Sequence, residues 1–337
     1  MKAVGYKLPG PIAEDAALVD IDLLRPVATG YDILVEVKAV SVNPVDYKIR
    51  SSTAPADGDW KVLGWDAAGI VREVGPDVTQ FATGDEVYYA GSLLRSGTNA
   101  EFHLVDARIV GCKPASLDWA EAAALPLTAL AAWEAMFDRL DVAKPVPGAA
   151  PAILIVGGAG GVGSIAIQIA RQCTDLIVIA TASRPETEEW VRGLGAHHVI
   201  DHSRPLAAQV AALGIGAPAF VFSITHTEQH VADIAELIAP QGRFALIDDP
   251  VALDIMLFKR KAVSIHHELM FTRSIYGTPD MHEQGEILDA LAVLVDDGKI
   301  RTTLTRTLSP INAANLETAH ALIESGATRG KIALEGF

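Results

Sequence analysis

The feature that most constrains this chain is a turn. Residues 152–156 form an unbroken apolar strand that runs straight into Gly157-Gly-Ala-Gly-Gly-Val-Gly163 and then into a segment of helical periodicity. In Gly158-x-Gly160-x-x-Gly163 the first glycine permits the tight turn and the second lets a pyrophosphate approach the backbone. The third lets helix and strand pack closely. Gly161 and Val162 lie where free N–H groups and the positive end of the helix would meet phosphate. The helix after the turn brings Val162, Ile165, Ala166, Ile169, Ala170 and Cys173 onto one face. A hydropathy scan would also notice residues 152–170, but the crowded glycines fit a strand, turn and helix better than a bilayer span.

The same alternation continues toward the C-terminus. Residues 176–180, 198–200, 219–222 and 243–247 read as apolar strands, with a helix over 185–194. Continuous apolar strands alternating with amphipathic helices predict a doubly wound α/β domain, its parallel sheet covered on both faces. Residues 262–266 alternate apolar and polar and are expected to end that sheet as an edge strand. The first third differs. Strands at 33–40, 69–74 and 86–89, separated by Gly and Pro, predict a small β-rich barrel or sandwich. Asp118-Trp-Ala-Glu121 is a capping box, and the alanine-rich helices after it break at Pro126.

An NAD-selective site places an acid about 20 residues beyond the glycines, at the end of the second strand. Here that strand ends Ala180-Thr-Ala-Ser-Arg184, with no acid before Glu186. The hydroxyl of Ser183 and the guanidinium of Arg184 suit a 2′-phosphate, so the expected cofactor is NADPH. The alternative is that Arg184 points into solvent at a helix start.

Composition narrows the partners. A formal charge of −15 argues against nucleic acid and anionic lipid. Two cysteines, Cys112 and Cys173, make no disulfide framework, and the N-terminus has no apolar signal core, so a cytoplasmic protein is expected.

Further motifs carry a resemblance over essentially the whole length. They are MKAVGY, Val42-Asn-Pro-Val-Asp-Tyr-Lys48, Gly64-Trp-Asp-Ala-Ala-Gly69, Ala124-Leu-Pro-Leu-Thr128, the glycine turn, Ala180-Thr-Ala-Ser-Arg-Pro-Glu186 and Gly330-Lys331-Ile332. The chain resembles the zinc-binding alcohol dehydrogenase family of the medium-chain dehydrogenase/reductase superfamily, in the branch close to NADPH:quinone oxidoreductases. The resemblance implies a Rossmann domain, residues 127–272, inserted in a GroES-like substrate domain made of residues 1–126 and 273–337. It also implies an active site in the cleft between them. It further implies a homodimer, formed by pairing the 262–266 strand with its twofold copy.

Zinc is not expected, although the family's name carries it. Zinc needs three or four Cys, His or carboxylate ligands. Where zinc-dependent relatives have a cysteine before the first helix, this chain has Asn43-Pro-Val-Asp46, and their Gly-His-Glu-Gly-like run appears as Gly64-Trp65-Asp66-Ala67. No cysteine falls between Tyr88 and His103, where a structural zinc lobe would stand. The histidine groups His197/His198/His202, His226/His230 and His266/His267 read as surface or strand-end residues.

Without a Lewis acid, reduction of a quinone or an α,β-unsaturated carbonyl is easier than handling an alkoxide. Asn43, Asp46 and Tyr47 are the candidate catalytic group, with Asn43 as oxyanion donor and Tyr47 as proton or hydrogen-bond donor. The alternative for Asn43-Pro44 is a helix cap with proline at the first helical position. Trp65 and Asp66 would line the cleft, Trp65 either walling an aromatic substrate or simply packing. For the cofactor, Thr128, Ser223, Thr225, Asp248, Phe271, Arg273 and Lys331 join the glycines, Ser183 and Arg184. Three functions remain open on the sequence. They are a zinc-independent NADPH-dependent reductase of a small quinone or enone electrophile, a carbonyl reductase or alcohol dehydrogenase, and a non-catalytic NADPH-binding protein.

Overall fold

The computed structural model describes residues 1–12, 17–56 and 58–337. It resolves into two compact units, one made of Met1–Leu130 with Phe271–Phe337 and the other of Ala131–Met270.

The Ala131–Met270 unit is built on six parallel strands. Their order across the sheet is His198–Ile200, Ile177–Thr181, Ala150–Val156, Pro218–Ser223, Arg243–Leu246 and Ser264–His267. Numbered by appearance this is 3-2-1-4-5-6, the Rossmann order. The centre is buried because its strands are apolar on both faces. Leu154, Ile179, Val221 and Phe244 form one core with Phe258, and the Phe244 and Phe258 rings stack at 5.4 Å. Each such side chain contributes about 1.5–3 kcal/mol by leaving water. The stretch flagged by hydropathy is the strand Ala150–Val156, the glycine turn and the helix Gly161–Cys173. Among the described residues no helix is long and apolar enough to cross a membrane.

The last strand begins later than its alternation suggests. Ala262 is not in it but caps a 3₁₀ segment, Ile255–Lys261, at φ +52°, and its N–H bonds the Lys259 carbonyl. The turn's local hydrogen bond overrides the two-residue period there. Among the described residues Ser264–His267 then pairs with Arg243–Leu246 on one side only.

The other unit carries the β-rich fold. A seven-stranded sheet runs Leu304–Leu308, Lys331–Glu335, Asp32–Val42, Asp66–Val74, Glu86–Ala90 and Val110–Cys112, with Phe102–Asp106 also on Asp32–Val42. A smaller sheet joins Val19–Asp22, Lys2–Tyr6 and Lys61–Val62. Asp32–Val42 organises the unit, and its register positions the site. Ser41 lies opposite Asp66, and Val42 opposite Ile332. Asn43, Asp66 and Lys331 are therefore brought to one end of three neighbouring strands.

The capping box forms as read. The Asp118 carboxylate accepts the Glu121 N–H at 2.8 Å and Glu121 accepts the Asp118 N–H at 3.1 Å. Two helices, Trp119–Ala123 and Pro126–Trp133, meet at Pro126. Past Trp133 the backbone widens into a π-helical turn, Glu134–Arg139, which periodicity does not reveal.

Candidate active site and dinucleotide cradle

The glycine turn has the shape its spacing requires. Gly157 sits at φ +86°, a conformation that side chains disfavour. A Cβ on Gly163 would lie 2.2 Å from the Gly157 carbonyl oxygen, and one on Gly158 would lie 3.0 Å from the Ala180 Cβ. Close helix–strand packing therefore excludes any side chain at Gly163. Gly160 is different, since a Cβ there would meet nothing nearer than 3.6 Å, which leaves open backbone for a ligand to approach. At the start of the helix the N–H groups of Gly161, Val162 and Gly163 have no acceptor among the described residues. These are the donors a pyrophosphate takes, so the cradle fits a dinucleotide.

Around it stand residues from the carboxyl edge of the sheet. Thr225 is exposed, its methyl next to where a Gly157 side chain would be. Ser183 and Arg184 are exposed at the end of Ile177–Thr181, and the Arg184 guanidinium lies 3.2 Å from Glu186. Ser223 and Asp248 are occupied otherwise. The Ser223 hydroxyl is 2.7 Å from that of Thr227, and the Asp248 carboxylate accepts the Thr227 N–H at 2.9 Å and its hydroxyl hydrogen at 2.5 Å. Asp248 thereby caps the helix Thr227–Leu237 from the segment just after the strand Arg243–Leu246. That role escapes local reading because cap and helix are 21 residues apart.

In the β-rich unit the candidate catalytic residues form a buried charge cluster. Asp66, Asp46, Asn43 and Lys331 are all buried. The Lys331 ammonium donates to Asp66 at 3.0 Å, to the Val42 carbonyl at 3.1 Å and to the Asn43 side-chain oxygen, which satisfies all three of its hydrogens. Asp66 also accepts the Asn43 amide at 2.7 Å and the Leu127 N–H at 2.7 Å. Asp46 accepts the N–H groups of Asn43 at 2.7 Å and Gly64 at 2.9 Å. Burial pushes the Asp46 carboxyl up to about 7, against the lowering pull of the Asn43 N–H and of Lys331.

This arrangement commits several of the expected site residues to partners within the protein. Asn43 has both amide hydrogens spent, on Asp66 and at 3.3 Å on the Ser41 carbonyl, and its oxygen is held by Lys331. Its side chain is therefore fully engaged within the cluster and makes no cap hydrogen bond, although Pro44 does open Pro44–Ser52. Lys331 is the internal cation of the cluster. Trp65 is buried, donates to the Ser92 carbonyl at 3.1 Å and meets Phe271 edge to face at 6.3 Å, so both rings pack. Arg273 is taken up by Asp280 and Glu283, and the Thr128 hydroxyl by the carbonyl of Leu125, just before its helix. Tyr47 stands apart. It is half-buried, and its hydroxyl has no hydrogen-bond partner among the described residues.

The alcohol dehydrogenase GroES-like domain family matches residues 29–126, and the zinc-binding dehydrogenase family matches residues 194–334. A zinc-type alcohol dehydrogenase-like protein of Staphylococcus aureus (strain MSSA476) is 38% identical over 99% of both chains. The chain belongs to the zinc-type alcohol dehydrogenase-like proteins of the medium-chain dehydrogenase/reductase superfamily. A mitochondrial NAD(P)H oxidoreductase of Homo sapiens is 30% identical over 89% of this chain and 80% of its own. Among solved structures of this family, a protein of Rhizobium etli CFN 42, provisionally named a zinc-dependent alcohol dehydrogenase, is 76% identical. It covers 100% of this chain and 98% of its own, with a TM-score of 0.99. A quinone oxidoreductase from Coxiella burnetii is 27% identical, covers 100% and 99%, and has a TM-score of 0.80.

The family name raises zinc, and the donor set does not fit it. Among the described residues no three of His, Cys, Asp and Glu converge as a metal would require. The two carboxylates that do come together are saturated by backbone N–H groups and by an ammonium, and a second cation beside Lys331 would be repelled. Within the first histidine group the side chains diverge. His197 accepts the Val178 N–H at 2.9 Å and meets Arg171, whereas His202 faces Thr181.

Proposed function

We propose that this protein is a zinc-independent, NADPH-dependent oxidoreductase that reduces a quinone or an α,β-unsaturated carbonyl. The observation that carries the reading is Lys331. Its ammonium neutralises Asp66 and orients Asn43, so the pair of segments that the resemblance associates with metal is a closed, self-satisfied cluster. A site with no Lewis acid is poorly suited to stabilise an alkoxide, while a polarised double bond needs hydride, positioning and a proton.

NADPH bound in the glycine cradle would supply the hydride. The chain's own part is to hold it. The N–H groups of residues 161–163 meet the pyrophosphate, the missing glycine side chains admit it, and Ser183 and Arg184 offer a hydroxyl and a fork of donors to the 2′-phosphate. The name of the human relative supports an NAD(P)H-type cofactor, and the absence of an acid at the end of Ile177–Thr181 favours the phosphorylated form. We assign the proton to the Tyr47 hydroxyl, the uncommitted donor of the candidate catalytic group. We take the working form to be a cytoplasmic homodimer joined through Ser264–His267.

The test is a panel assay that tracks NADPH loss with quinones, enones, simple aldehydes and no acceptor, on protein whose metal content is measured. Turnover of quinones or enones by metal-free protein is expected. Reduction of aldehydes alone would overturn the substrate class, and about one tightly held zinc per chain would overturn the reading of the cluster.

A further inference from the structure

Once metal binding is set aside, the histidines at the sheet's carboxyl edge need another account. Strand His198–Ile200 runs parallel to Ile177–Thr181 with Ile200 opposite Thr181, so the segments leaving both strands emerge side by side. One delivers Ser183 and Arg184, and the other delivers Asp201 and His202. The His202 Nδ1 lies 3.3 Å from the Thr181 hydroxyl oxygen, which itself accepts the Gly157 N–H at 2.9 Å. A single threonine thus ties the imidazole to the glycine turn and leaves Nε2 for an outside partner. His226 arrives from the loop after Pro218–Ser223, exposed and at φ +54°, a left-handed conformation that is uncommon outside glycine. His226 and Arg184 lie within electrostatic reach of His202, and His230, on the helix Thr227–Leu237, lies within reach of His202 and His226.

We propose that His202 is a proton-operated contact for the 2′-phosphate of the dinucleotide, with Arg184 as its cationic neighbour. Preference for the phosphorylated cofactor then rises as pH falls. This inference rests on the NADPH reading above and adds to it a specificity-determining residue and its control by pH.

The charges around His202 permit this. Asp201 is its neighbour, but that carboxylate accepts the Ser203 N–H at 2.8 Å and hydroxyl at 2.7 Å and pairs with Arg204. Asp248 is spent on Thr227, and Asp233 on the Leu206 N–H. Glu186 lies against Arg184. In the free protein burial holds His202 below the ordinary imidazole value; Asp201 opposes this, and His226 and Arg184 add to it. The imidazole is therefore mainly neutral at pH 7 until a phosphate arrives. The incoming negative charge raises its proton affinity, so binding takes up a proton. By linkage, affinity for NADPH climbs as pH falls toward the free imidazole's value, by at most about tenfold per pH unit for one proton.

Isothermal titration calorimetry on the full chain, in buffers of different ionisation enthalpy between pH 6 and 8, measures that proton directly. NADPH is expected to bind with net proton uptake at pH 7 and NADH with none. The variant His202→Gln should lose the uptake and flatten a several-fold gain in NADPH affinity from pH 8 to 6. The cofactor's own phosphate, whose second ionisation lies near pH 6, works with the opposite sign by losing a proton among cations. The variant records that contribution alone. Wild-type protein that prefers NADPH with no proton uptake, or His202→Gln protein that keeps the wild-type uptake, would overturn the histidine assignment and leave the cofactor reading standing. Equal affinity for NADPH and NADH at every pH would overturn both.

Discussion

Replacing Lys331 by Met keeps the length of the side chain and removes only its charge and hydrogen bonds. The change strands a fully buried carboxylate. Lys331 and Asp66 are 3.0 Å apart, which at an effective dielectric near 20 corresponds to about 5 kcal/mol of attraction. Removing one partner of a buried pair costs about 3–5 kcal/mol, because the other keeps its desolvation penalty. Lys331→Met should therefore destabilise the β-rich unit by about 3–5 kcal/mol at pH 7, measured by urea unfolding with a separate transition fitted for each unit. The loss should shrink as pH falls below about 7, because a protonated Asp46 no longer draws on the Lys331 charge. The double change Lys331→Met with Asp66→Asn should recover about 2 kcal/mol of the single loss. The new amide can donate to the Asn43 oxygen that Lys331 releases, while its own oxygen still accepts the Leu127 N–H. A loss under about 1 kcal/mol, or single losses that simply add in the double variant, would refute the account of the cluster as one electrostatic unit.

The geometry makes three other outcomes testable. Arg184→Ala should weaken NADPH by about 1–3 kcal/mol in direct binding titrations and leave NADH nearly unchanged, whereas equal losses would remove Arg184 from the 2′-phosphate site. Tyr47→Phe should lower kcat by about 10²-fold with little change in cofactor affinity, and an unaltered kcat would dismiss the hydroxyl as proton donor. Sedimentation at micromolar concentration should give a dimer mass, and proline at Ile265, in the one-sided edge strand, should shift it toward monomer. A monomeric wild-type mass would rule out pairing through that edge.

The Rossmann half is legible in the sequence because its determinants are local. Gly157 to Gly163 fix turn, helix and strand packing within a few residues, and each later strand announces itself as a short apolar run. The β-rich unit yields its strands but not its site, because the contacts that matter are distant in sequence. Lys331 meets Asn43 across 288 residues and Asp66 across 265, and neither spacing leaves a periodic trace. Asn43 shows the consequence. Both the functional and the capping reading of Asn43-Pro44 assume a free amide, and the strand register that commits it to Lys331 and Asp66 appears only in the folded sheet. His202 is recognisable in the sequence as a residue at the carboxyl end of a strand, but its position in a run of histidines draws attention to metal ligation instead.

The strand Lys331–Glu335 sits inside its sheet, between Leu304–Leu308 and Asp32–Val42, although Lys331 follows Asn43 by 288 residues. On a ribosome adding about 5–20 residues per second, some 15–60 s separate the synthesis of Asn43 from that of Lys331. Throughout that interval Asp66 and Asn43 lack Lys331, and the Ala39–Val42 end of the organising strand lacks its partner on one side. The Ala131–Met270 segment contains every strand of its own sheet and can complete itself first. Birth order is thus inverted: the unit whose synthesis starts first is the one that closes last. A nascent chain stalled before residue 331 would carry a finished nucleotide fold beside an open, acidic sheet edge, the kind of unfinished surface that chaperones and proteases recognise.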